Sequence, residues 1–311
     1  MDRKTMRILA MILASSMSMF VSNTALACSV CGCDPSGGTL GLDRPSMSDA
    51  RLAVEDRYLW KESGSVNDNT REGERENRIN LRAQYSPPVP GLSMQLDVPF
   101  YAWKAHYGVD GSQDDTNQGL GDVSLTARWE ALSFGGAVPR HVIALLGTLK
   151  APTGSNTHLA PIDGVVFDEH KQVGTGTWDE FVGISYAYGD FPTVVYANAT
   201  ARFNGTNSRG NHYGNAIFGT LGVRRSFLDS KRLYLAVDAQ VRNAGKDTTP
   251  GNTYDENSGG LVGYAVGSAG YAMTGNLLIR GTVQVPVVTA LNGAQTEHPV
   301  MYLAVAYDFA L

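Results

Sequence analysis

The chain reads as an all-β protein: an antiparallel up-and-down transmembrane β-barrel of about 12 strands, following a cleaved signal peptide. Three observations predict it. From residue 50 onward apolar residues recur at every second position, the period of a strand with unlike faces. The connections between these runs alternate between short turns and long polar loops, as they do when turns and loops lie on opposite sides of a membrane. The last stretch, Pro299 to Leu311, is such a run: Met301, Leu303, Val305, Tyr307, Phe309 and Leu311 on one face, Ala304, Ala306, Asp308 and Ala310 on the other.

The elements follow in order. Arg3, Lys4 and Arg7 open the chain, Ile8 to Val21 is an apolar stretch diluted by serines, and Ala25-Leu26-Ala27 is a small-x-small cleavage pattern. Residues 1–27 are therefore expected to be an export signal; the apolar part is too short and interrupted for a spanning helix. Residues 28–47 are rich in Gly, Pro and Ser and read as a periplasmic tether. The three cysteines of the chain, Cys28, Cys31 and Cys33, all fall there as C-x-x-C-x-C. Three thiolates so close suit a soft metal, Cu or Zn, or a periplasmic redox or metal partner. The alternatives are a local disulfide, favoured in an oxidising compartment, and lipid on Cys28.

Residues 48–311 form the barrel domain. Leu52, Val54, Tyr58 and Trp60 alternate with Arg51, Glu55 and Arg57. Ile79, Leu81, Ala83 and Tyr85 alternate with Arg78, Asn80, Arg82 and Gln84. The third run pairs Leu92, Met94, Leu96, Val98 and Phe100 with Asp97 and its neighbours, and the fourth pairs Val123, Leu125, Ala127 and Trp129 with Asp122 and Arg128. Ile143, Leu145 and Leu149 oppose Lys150; Val182, Ile184, Tyr186 and Tyr188 make the next face; Val195 to Phe203 oppose Arg202. Ile217, Leu221 and Val223 follow, then Leu233 to Val241 against Asp238 and Arg242. Val262, Tyr264 and Val266 make a further apolar face, and Leu277 to Val287 oppose Arg280 before the closing strand.

A soluble sandwich would have to gather all these apolar faces into one core. Lipid outside and a polar lumen inside needs no such core. Trp60, Trp129, Tyr186, Tyr188, Tyr307 and Phe309 are placed to form the interfacial girdles. Long loops are expected at Lys61–Arg75, Lys104–Gln118, Ala151–Thr175, Asn204–His212, Asn243–Gly259 and Thr289–His298. Asp56 falls on the apolar face of the first strand, where a bulge or a register shift would turn it away.

Function is constrained by what is present and what is not. A net charge of −5 gives no electrostatic case for nucleic acid. No histidine has a Ser or acidic partner at a convincing strand spacing, and no phosphate loop or dinucleotide fingerprint occurs, so an enzyme is not expected. Asp168-Glu169-His170 reads as an exposed acidic loop rather than a cation site. The candidate lumen and selectivity residues are Arg78, Arg82, Asp97, Asp122, Arg128, Lys150, Arg202, Asp238, Arg242 and Arg280. With Arg51, Arg57 and Arg224 against Glu55, Glu130 and Asp308, the polar faces carry more base than acid, which points to anions. The competing expectation is that these charges pair across the barrel.

Certain motifs carry a resemblance. Gly119-Leu120-Gly121-Asp122-Val123, Leu149-Lys150-Ala151-Pro152-Thr153-Gly154, Gly174-Thr175-Gly176-Thr177-Trp178-Asp179 and Val283-Gln284-Val285-Pro286 resemble the outer-membrane transporter family named for the MetA pathway of phenol degradation. The closing strand is also similar to the C-terminal signal of bacterial outer-membrane barrels, with Leu311 where an aromatic is commoner. The family resemblance implies a barrel channel in the bacterial outer membrane for small solutes, aromatic compounds among them. The function expected is a passive channel for aromatic or anionic small solutes, held in outer-membrane lipid. The alternative is a structural barrel that docks a partner through its cysteine segment.

Overall fold

The computed structural model describes residues 49–310 apart from 64–71, 108–112, 137–139, 160–165, 167–168, 191, 228–231 and 252. The expected signal peptide and the segment with Cys28, Cys31 and Cys33 lie outside the described residues.

Twelve antiparallel strands close into one barrel. They are β1 (Asp49–Ser63), β2 (Glu72–Tyr85), β3 (Leu92–Tyr107), β4 in two segments (Gln113–Leu120 and Ser124–Phe134), β5 (His141–Lys150) and β6 (Asp179–Asp190). β7 (Thr193–Asn204), β8 (Ala216–Phe227), β9 (Leu233–Ala244), β10 (Gly260–Ala272), β11 (Leu277–Leu291) and β12 (Val300–Ala310) complete the ring. Each strand pairs with its neighbours in the chain, and β12 returns to β1 in a register running from Asp49↔Ala310 to Tyr58↔Met301. Closure matters because hydrocarbon offers no water to an unpaired strand edge; a barrel leaves none in the membrane.

The packing is inside out. Leu52, Leu81, Leu125, Leu145, Ile217, Leu221, Val237, Leu303 and Val305 are all exposed on the outer wall, Val237 by 63%. Glu55, Arg57, Glu76, Lys150, Asp179 and Arg202 are buried on the inner wall, each by more than nine-tenths. In water this outer surface would be one continuous apolar patch, far larger than soluble proteins present. In lipid it is simply matched to its surroundings. Trp129, Tyr186, Tyr307 and Phe309 stand exposed in their expected girdle positions, whereas Trp60 is partly covered by the stacked His298 ring, with centroids 4.1 Å apart.

Three expectations need correction. Val262, Tyr264 and Val266 of β10 face inward and pack together with Leu291, while Gly263, Ala265, Gly267 and Ala269 face out. The small outer residues hid the true register, because a run of Gly and Ala has no apolar contrast. Second, Asp56 is not removed by a bulge. It stays on the outer face in register with Leu303 and Ile79, and the Asn77 side-chain amide donates to it at 2.5 Å. Third, several long loops are largely strand: β3 runs on to Tyr107 and β4 starts at Gln113, and β11 reaches Leu291. Apolar alternation stops at the membrane surface, but backbone pairing continues above it.

The inward loop and the lumen

The connection between β5 and β6 is long, and its described residues, 151–159, 166 and 169–178, fold into the barrel. β5 stops at Lys150, where it pairs with Ser124 of β4 and Asp179 of β6. The first segment of β4 continues past that level and, among the described residues, pairs only with β3. The loop occupies the space left behind it.

Asp122 ties the loop down. It sits in the break between the two β4 segments, so its side chain turns inward. One carboxylate oxygen accepts from the Gly154 amide at 2.9 Å. The other accepts from the Thr175 amide at 2.8 Å, the Thr175 hydroxyl at 2.7 Å and the Lys150 ammonium at 2.8 Å. Lys150 also reaches Asp179 at 2.7 Å, and Asp179 accepts from the Thr177 hydroxyl at 2.6 Å. Thr153 bonds the Gly121 carbonyl at 2.9 Å. Three of the sequence motifs that carry the family resemblance thus converge on one ion-paired knot.

The two arms of the loop cross there, backbone on backbone. A methyl group on Gly174 would lie 2.3 Å from the Gly154 carbonyl carbon and oxygen, and one on Gly154 would lie 2.7 Å from the Gly174 Cα. Only glycine fits at either position, because no flexible side chain is there to yield.

The far end of the loop is clasped separately. Glu169 is buried, not part of an exposed acidic loop. Its carboxylate accepts from Arg209 at 2.9 Å, Asn211 at 2.5 Å and Asn207 at 3.0 Å, all from the β7–β8 connection. Its carbonyl accepts from the Tyr213 hydroxyl at 3.1 Å. Lys104 of β3 holds the Gln172 carbonyl at 3.0 Å. His170 lies 3.5 Å from Asp255 and 3.7 Å from Asp247, both in the β9–β10 connection.

The hydrogen bond from His170 holds the Asp255 carboxyl below the usual carboxylate range, with help from the Asn257 amide. A depressed folded value means a stabilising contribution that is present above the ordinary Asp value of about 3.9 and lost as pH falls through the folded one. Acidification from about pH 6 to about pH 3 should therefore loosen this clasp and weaken the protection of the Glu169–Gln172 backbone amides against hydrogen exchange. Asp255→Asn should show the weakened protection at both values; stronger protection of the wild type in acid would contradict the assignment.

Beneath the loop lies a cavity with about 100 Å³ open to the centres of water molecules. Arg78, Arg82, Asp97, Asp122 and Lys150, five of the ten residues expected in the lumen, line it; Arg128, Arg202, Asp238, Arg242 and Arg280 face the lumen elsewhere. Arg82 pairs with Asp97 at 2.7 Å, Arg128 with Glu130 at 3.1 Å, Arg242 with Glu297 at 2.6 Å and Arg280 with Glu55 at 2.9 Å. Arg202 lies over the Phe218 ring, Arg78 over Tyr101, and Asp238 accepts from the Tyr196 hydroxyl. Sequence reasoning missed Lys104 and Glu74, which sit in strand ends that lack apolar partners and so read as loop, Glu76 beside them, and Glu297, which lies in the β11–β12 connection in a short segment, Gln295–Glu297, paired with β1. It missed Glu169 because a carboxylate flanked by Asp168 and His170 looks like a solvated patch. Among the described residues no group of three or more His, Cys, Asp or Glu could hold a metal ion.

The chain is similar in structure to an outer membrane channel from Pseudomonas putida F1, with a TM-score of 0.71 and 14% sequence identity, covering 88% of this chain and 100% of that one. By fold, the chain is an outer-membrane β-barrel. Two other solved barrels are less alike. The translocator domain of the autotransporter NalP from Neisseria meningitidis has a TM-score of 0.48 at 10% identity, over 86% of this chain and 91% of that one. The CymD monoaromatic hydrocarbon channel has a TM-score of 0.46 at 8% identity, over 85% and 89%. No family model matches the chain, and no curated protein matches it.

Proposed function

We propose that the protein is a passive outer-membrane channel for small solutes, narrowed by its own inward loop. The observation that carries this reading is the polar cavity under residues 169–175, inside a closed barrel with a lipid-matched outer wall. A barrel of about 12 strands lies between the eight that side chains fill and the sixteen that leave a wide aqueous pore. A loop folded into such a bore suits a narrow path. Aromatic compounds stand among the candidate solutes because of the family resemblance, and the rings of Tyr101, Phe181, Tyr213 and Tyr302 at the cavity support them. The pairing of the lumen charges supports uncharged solutes over anions. The cysteine segment's soft metal or redox partner remains a separate proposal, resting on the C-x-x-C-x-C spacing alone. Reconstitution into planar bilayers tests the channel reading. Discrete conductance steps from the purified mature protein are expected; a silent bilayer over many insertions would refute it.

A further inference from the structure

We infer that the cavity discriminates against net charge and takes neutral, hydroxyl-rich solutes. This rests on the channel reading and names the solute class for it.

The charges at the cavity cancel. Arg78, Arg82, Lys104 and Lys150 face it from one set, and Glu55, Asp97, Asp122 and Glu169 from the other, four against four. They are interleaved around the wall, not segregated to opposite sides. Each is also already engaged. Arg82 is committed to Asp97, Lys150 to Asp122 and Asp179, and Glu55 to Arg280. Lys104 holds Glu74 at 3.4 Å together with the Gln172 carbonyl, Glu169 holds Arg209, and Arg78 lies over the Tyr101 ring.

An ionic solute entering this space loses water and finds every opposite charge occupied. To bind, it must break a pair and leave one member without its partner, the costly outcome for a desolvated charge. A neutral solute with several hydroxyl groups faces no such demand. Ion-paired carboxylates and guanidinium groups keep lone pairs and N–H bonds to spare, and hydrogen bonds to charged groups are strong. The Thr126 and Thr148 hydroxyls, bonded to each other at 2.8 Å, add a donor and acceptors on the β4–β5 wall. Phe181 adds apolar ring surface to the lining for the C–H side of such a solute. The space also suits a small molecule: water-sized centres range over about 100 Å³, so the cavity is larger than a single-water site.

The test uses the full mature protein in liposomes and three solutes of similar size: glucose, gluconate and glucosamine. Swelling should be several-fold faster in glucose than in isosmotic gluconate or glucosamine salts. In planar bilayers the wild-type reversal potential in a potassium chloride gradient should lie near zero. Asp97→Asn should move it toward anion preference and Arg82→Gln toward cation preference, with folding checked by heat-modifiable gel mobility. Faster entry of gluconate or glucosamine, or a strongly one-sided wild-type reversal potential, would overturn the neutral-solute inference while leaving a channel. Absence of both swelling and conductance would instead remove the channel reading, and this inference with it.

Discussion

Val305→Arg in the closing strand should prevent stable assembly. Val305 is 42% exposed on the outer wall, in register with Val54 of β1 and Ile279 of β11. An arginine there would point its charge into hydrocarbon, at a cost of about 2–4 kcal/mol near the bilayer midplane. Because β12 closes the ring against β1, the loss falls on the seam that removes both strand edges. Ala306, one residue on, is buried on the lumen side and should accept a polar residue such as serine with little effect. The expected result is loss of the heat-modifiable band for Val305→Arg and its retention for Ala306→Ser. The opposite pattern would mean that the inner and outer faces are exchanged.

Lys150→Met should be the most damaging change inside the barrel. Lys150 is the only cation contacting both Asp122 and Asp179 in the described ion pairs, and the side chains of all three are at most 5% exposed. Methionine preserves length and packing but leaves two buried carboxylates facing each other with no counter-charge. Breaking a buried pair in this way costs about 3–5 kcal/mol. The knot also fixes Gly154 and Thr175, so the inward loop should lose its anchor. The variant should lose its heat-modifiable shift at a lower temperature and show larger, noisier conductance. Adding Asp179→Asn should restore part of the loss, since it removes one of the unpaired charges; purely additive penalties would show that the two residues act independently.

The sequence carried the barrel well because lipid imposes one simple rule on every strand. Wherever large apolar residues alternated with charged ones, as in β1, β2 and β9, the faces were assigned as the structure has them. The reading failed where that contrast vanished. In β10 the lipid side is Gly and Ala, and three larger apolar residues turn inward to pack on one another. Beyond the membrane surface the strands continue through polar residues such as Glu74, Glu76 and Lys104, which nothing in their local pattern separates from loop. The knot was half visible: Asp122, Lys150 and the Gly174 motif stood out as segments, but only the fold brings residues so distant in sequence to one point. Glu169 gave no signal, because its burial depends on three partners from another connection.

The central claim is that the inward loop sets the bore of a conducting barrel. It is tested most directly by the single-channel conductance of the wild type beside a variant in which residues 156–171 are replaced by a short Gly-Ser linker. This leaves the Asp122 knot, both flanking strands and the Gln172–Thr175 part of the cavity roof in place while removing Glu169 and the clasp that holds it against the wall. The conductance is predicted to rise several-fold, with discrete steps in both proteins. Equal conductance in the two, or silence in both, would contradict it.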